Sequence, residues 1–75
     1  MPKLPGLTGK KVINTLEKLG FQVVRQRGSH VQMEHDDGRL VTVPVHAGKT
    51  IGRGWLSKIL RDAELTREEF IALLE

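Results

Sequence analysis

Apolar residues recur at helical spacing near both ends of this chain and alternate at strand spacing between them. Val12, Ile13, Leu16 and Leu19 mark one face of a helix expected over about residues 9–19, with Thr8 as its cap and Gly20 as its stop. Lys10, Lys11, Asn14, Glu17 and Lys18 fill the other positions, so its outer face is mainly basic. Residues 21–27 are rich in β-formers and predict a first strand closed by Gly28-Ser29. Adjacent Val23 and Val24 point to both faces of that strand, where a β-bulge would shift the register.

From His30 the alternation is clean. Val31 and Met33 share one side and His30, Gln32 and Glu34 the other, as a half-buried strand requires. Asp36-Asp37-Gly38 then signals a hairpin, and residues 39–45 form a third strand with Val41, Val43 and Val45 on one face. Pro44 cannot donate to a ladder, which places it on an edge or at a strand end. After a loop at His46-Ala47-Gly48-Lys49, Trp55, Leu56, Ile59, Leu60 and Ala63 form the stripe of a second helix. Thr66 and Glu69 match a capping box for a short last helix carrying Phe70, Leu73 and Leu74. The expected fold is a two-layer α+β domain, α-β-β-β-α with a short extra C-terminal helix, spanning residues 1–75.

Composition narrows the class. The 75 residues contain no cysteine, which excludes disulfides and thiolate metal sites and makes a reducing cytoplasm the expected compartment. No stretch has the length of a membrane span, and residues 1–6 lack the apolar core of a signal peptide. The net charge of +3 conceals an asymmetry: residues 1–61 hold 11 Lys/Arg against 4 Asp/Glu, whereas residues 62–75 hold one Arg against 5 Asp/Glu. A basic body suits a polyanion, because Lys and Arg gain affinity from phosphates through counterion release, although solvated helix faces would show the same charges.

Candidate chemistry centres on the three histidines, the side chains that ordinarily titrate nearest neutrality. His30 faces away from Val31 and Met33, and Arg25, Arg27 and Arg39 flank it in sequence or across the hairpin. His46 opens the loop after the third strand and is either functional or bonded to backbone, while His35 beside the turn reads as structural or inert. The histidines share no metal-binding spacing, the carboxylates do not cluster, and the glycines near Gly48, Gly52 and Gly54 form no P-loop; no cofactor is expected. Ser29 shapes the turn or bonds a phosphate.

The order of these motifs resembles one family, the HicA toxins, small mRNA endoribonucleases of toxin-antitoxin pairs. The resemblance runs from Pro5 through Lys11 and Leu16-Glu17-Lys18-Leu19-Gly20-Phe21 to Arg27-Gly28-Ser29-His30, which is similar to the family's Gly-Ser-His signature. It continues through Asp37-Gly38-Arg39, Val43-Pro44-Val45-His46 and Ile59-Leu60-Arg61-Asp62-Ala63 to Leu65-Thr66-Arg67-Glu68-Glu69-Phe70. Trp55 departs from the pattern, since family members commonly carry a small residue there, often Thr. Such a Trp either anchors an interface or packs against the sheet edge.

The resemblance implies a fold like the double-stranded RNA-binding domain, metal-independent cleavage of mRNA, and a HicB-type antitoxin as partner in a hetero-oligomer. It also implies that His30 is the catalytic residue, acting as general base or acid. Arg25, Arg27, Ser29, Arg39 and Lys49 are the expected RNA contacts, Arg27 and Lys49 being candidates to stabilise the transition state; no second proton-transfer group is identifiable. Two competing readings are an inert RNA-binding module of the same fold and a protein-interaction domain built around Trp55 and Leu56.

Overall fold

The computed structural model describes residues 6–74. Met1 to Pro5 and Glu75, on which the leader reading, the first motif and the acidic end partly drew, lie outside the described residues. Within the described range the order is α1 (Gly9–Glu17), β1 (Gln22–Arg27), β2 (His30–Glu34), β3 (Leu40–Pro44), α2 (Arg53–Asp62) and α3 (Arg67–Leu74). This is the expected α+β order with its additional terminal helix. The strands form one antiparallel sheet in the order β1-β2-β3.

The expected caps form. Thr8 accepts the Lys11 N–H on its hydroxyl at 3.2 Å, and Thr66 and Glu69 exchange side-chain and backbone bonds at 2.8 and 3.1 Å. The α1 helix is shorter than expected: its intrahelical run closes at Glu17, and the Phe21 N–H folds back to the Leu16 carbonyl at 3.2 Å. The end of α2 closes in the same way, from the Leu65 N–H to the Leu60 carbonyl at 2.9 Å, with Glu64 at φ 58° in the left-handed conformation.

Val12 and Leu16 of α1, Leu56, Ile59 and Leu60 of α2, and Phe70 of α3 are buried with Phe21, Val31, Met33, Val41, Val43 and Ala63 in one core. Each fully buried Val, Leu, Ile, Met or Phe among them contributes about 1.5–3 kcal/mol. The helices lie on one side of the sheet, α1 and α2 against β3 and α3 against α1, so the face of β2 carrying His30, Gln32 and Glu34 is open to solvent. A Cβ at Gly9 would overlap the Pro44 carbonyl, so glycine is what lets the start of α1 approach the end of β3. The loop from β3 to α2 is tied back to α1 by the Thr8–Thr50 bridge and by the Ile51 N–H on the Leu7 carbonyl at 2.7 Å.

Two expectations about α2 change. Leu56 is buried in the core, so it cannot share an exposed patch with Trp55. Trp55 in turn leaves the core stripe: it is 37% exposed and, as the second of its two expected roles has it, lies against the sheet edge, with its indole N–H donating to the Thr42 carbonyl at 3.1 Å. Thr42 belongs to β3, an edge strand, and an edge leaves backbone groups without a strand partner.

Candidate active site

The site begins with a turn. Arg27 and His30 face each other across a two-residue hairpin loop, with Gly28 at φ 54° in its first position. A side chain there would be strained, and glycine first with positive φ is the pattern of a type II′ turn, whose twist suits paired strands. Behind the turn, the Val45 N–H donates to the Ser29 carbonyl at 2.6 Å. His30 is thereby the first residue of β2, on the open face and opposite Pro44 of β3.

The arginines reach that face through an irregularity. Val23 pairs with Met33, whose side chain is buried on the helix side, while Arg25 pairs with Gln32 on the open side. The register therefore slips by one residue at Val24, a β-bulge. Under strict alternation from Val23, Arg25 and Arg27 would fall on the helix side. The extra residue sends both to the open face, opposite Gln32 and His30.

The result is a shallow depression of about 120 Å³ lined by Arg25, Arg27, His30, Gln32 and Thr42. Two arginines and one histidine line it, and no acidic residue does. The His30 ring also meets Trp55 edge to face, with centroids 5.3 Å apart and planes at 64°. Among the described residues no hydrogen bond claims either imidazole nitrogen of His30, so both are available for proton transfer or for a phosphate oxygen. Trp55 is the neighbour the sequence reading left outside the site. Its departure from the family pattern was the available signal, but only the fold sets it beside His30.

The other expected contacts divide. Ser29 sits half-buried in the turn next to His30, and its backbone carbonyl is used in the fold. Lys49 is exposed at the end of the loop turn, its N–H on the His46 carbonyl at 3.0 Å, and it does not line the depression. His46 is exposed in the same turn and does not line it either.

Arg39 is not brought to His30. It lies past the opposite end of β2, where its guanidinium pairs with the Asp37 carboxylate at 2.8 Å, donates to the Ala63 carbonyl and stacks 5.1 Å over the Phe21 ring. The hairpin joins β2 and β3 at the Glu34–Leu40 end, so an arginine placed just before β3 cannot also stand beside His30. This corrects the expectation that Arg39 flanks the histidine. The hydrogen bonds from the Arg39 side chain and backbone hold the Asp37 carboxyl below its ordinary pKa of 3.8.

His35 occupies the same end and is structural, as expected. Its Nδ1 accepts the Asp37 N–H at 3.2 Å, which leaves the proton on Nε2 to be donated to the Leu19 carbonyl at 3.0 Å. The ring packs edge to face on Phe21 at 5.2 Å. Among the described residues no group of three or more His, Asp or Glu could hold a metal ion, and no helix is long and apolar enough to cross a membrane.

Fold and site together define a small α+β protein that offers a histidine and two arginines on the open face of a three-stranded sheet. The family model described as the HicA toxin of bacterial toxin-antitoxin matches residues 9–65, a span that includes the hairpin, the depression and Trp55. The chain belongs to the HicA toxin family, the toxin side of toxin-antitoxin systems. No curated protein matches it.

Proposed function

We propose that this toxin is an endoribonuclease that cleaves mRNA without a metal ion, with His30 transferring the proton and Arg25 and Arg27 holding the scissile phosphate. The observation that carries this reading is the gathering of His30, Arg25 and Arg27 in one depression, with no hydrogen bond to the imidazole nitrogens among the described residues. RNA supplies its own nucleophile. The ribose 2′-oxygen attacks phosphorus, the bond to the 5′-oxygen breaks, and a 2′,3′-cyclic phosphate and a 5′-hydroxyl result. His30 either accepts the 2′-hydroxyl proton or donates one to the departing oxygen, a role that contributes about 10²- to 10⁴-fold. The guanidinium groups offset the charge that grows on the phosphoryl oxygens.

The cellular partner of the toxin is an antitoxin, which we propose to be of the HicB type. It would cover the open face around His30 with acidic groups that complement the arginines. Hydrogen exchange should then slow in the segment 22–34 of the complex; protection confined to the helices would rule this footprint out.

The deciding experiment is cleavage of a long single-stranded RNA by the purified chain in EDTA, beside a His30→Ala variant shown by circular dichroism to be folded. Cleavage by the wild type alone, and none of a substrate lacking the 2′-hydroxyl at the cut site, is the expected result. Intact RNA in both reactions, with retention in a low-salt binding assay, would instead make the protein an inert RNA-binding module.

A further inference from the structure

Trp55 contributes little to the core and has no part in the reaction outlined above, yet its ring is the aromatic neighbour of His30. We propose that Trp55 is a positioning residue: its indole, tied to the sheet edge, holds the His30 imidazole in one orientation beside Arg25 and Arg27. The proposal rests on the reading of His30 as the proton-transfer group.

The argument starts from the freedom His30 would otherwise have. It is an exposed residue at the first position of a strand, where two staggered χ1 wells are commonly populated. Among the described residues no hydrogen bond fixes its ring. A proton-transfer group must nevertheless be held close to its productive geometry, because a displacement of about 1 Å can cost about a hundredfold in rate.

Trp55 supplies the missing constraint from a rigid element. It stands in the first turn of α2, whose Leu56, Ile59 and Leu60 are anchored in the core. The indole N–H is fixed on the Thr42 carbonyl at 3.1 Å, and Thr42 itself lines the depression. With its backbone origin and its nitrogen both held, the ring has little room to turn. The edge-to-face contact with His30, at 5.3 Å and 64°, lies within the favoured range for aromatic pairs. The helix, the edge strand and the imidazole are thus joined through one side chain. Edge protection alone would require only the bond to Thr42; the contact with His30 is additional.

Two variants test this. Trp55→Thr removes the ring and Trp55→Phe keeps an aromatic ring but loses the tie to Thr42, each checked for folding by circular dichroism. Proton NMR of His30 provides a readout independent of activity. The indole ring current should displace the His30 ring protons from the positions they take in Trp55→Thr, with Trp55→Phe between the two. In RNA cleavage, kcat should fall about 10-fold or more in Trp55→Thr at little change in KM, and Trp55→Phe should recover part of it.

Unchanged His30 shifts in a folded Trp55→Thr would overturn the proposal. So would a rise in KM at constant kcat, which would make Trp55 an RNA contact instead. Should Trp55→Thr fail to fold, Trp55→Phe decides by the same shifts and rates: values equal to wild type in both would refute the tie to Thr42. If the wild-type chain leaves RNA intact, the reaction assigned to His30 falls. The ring-proton shifts then decide the positioning alone.

Discussion

The two ends of β2 carry the same kinds of side chain and use them in opposite ways. Beyond one end, the nitrogens of His35 bond the Leu19 carbonyl and the Asp37 N–H, and Arg39 is divided among Asp37, the Ala63 carbonyl and the Phe21 ring. At the other end the His30 ring meets Trp55 edge to face, and Arg25 and Arg27 line an open depression with it. Imidazole and guanidinium groups are chemically available only where the fold has not already engaged their donors and acceptors. At the His35 end the polar groups close a hairpin onto the exits of α1 and α2. At the His30 end they are left on the open face of the sheet.

The largest effect that can break this comparison concerns the arginines. Replacing both Arg25 and Arg27 by Ala should lower kcat/KM for RNA about a hundredfold, at about 1.5 kcal/mol for each lost charge-assisted hydrogen bond. The salt dependence of single-strand binding should flatten by about 1.4 in log-log slope, from roughly 0.7 for each phosphate contact. Arg39→Ala should leave both quantities unchanged and lower stability instead. An Arg39→Ala chain that stays folded but binds RNA as weakly as the double variant would abolish the distinction between the two ends.

Much of this layout was legible in the residues. The alternation of β2, the hairpin at Gly28-Ser29, the caps at Thr8 and Thr66 and the separation of His30 from His35 all follow from short-range rules that the fold obeys. What escaped were consequences of distance. Arg39 is captured by a carbonyl 24 residues away, at the end of a helix whose placement parity counting cannot supply. Adjacent Val23 and Val24 signalled a possible bulge, but its effect on Arg25 and Arg27 depends on where the extra residue lies, which cross-strand pairing decides. Trp55 followed the helical stripe of α2 by spacing, yet the open edge of β3 offered its N–H an acceptor that the core could not.

A smaller effect sharpens the contrast between the histidines. His35→Ala should cost about 1–3 kcal/mol in urea unfolding, because the Leu19 carbonyl loses its donor and the Phe21 ring loses a packing partner. The kcat of the folded fraction should equal that of the wild type. His30→Ala should show the reverse, a melt close to wild type and no cleavage. Equal loss of stability in the two variants would mean that the His30 imidazole, too, is held by the fold.

The smallest effect lies in acid. Asp37 has its pKa lowered by the hydrogen bonds from the Arg39 side chain and backbone, so its ionised form is favoured in the folded chain over the unfolded one. Such a group contributes stability that is fully present above its ordinary pKa of 3.8 and is lost as the pH falls through the lower folded value. The difference in urea midpoint between wild type and Asp37→Asn should therefore be present at about pH 5 and shrink below about 4. Because the carboxylate is solvent-exposed the difference is small, and it belongs wholly to the His35 end. Cleavage by Asp37→Asn at neutral pH should match the wild type. A change in its kcat would mean that the turn at Asp37 and the depression at His30 are coupled along β2 rather than independent.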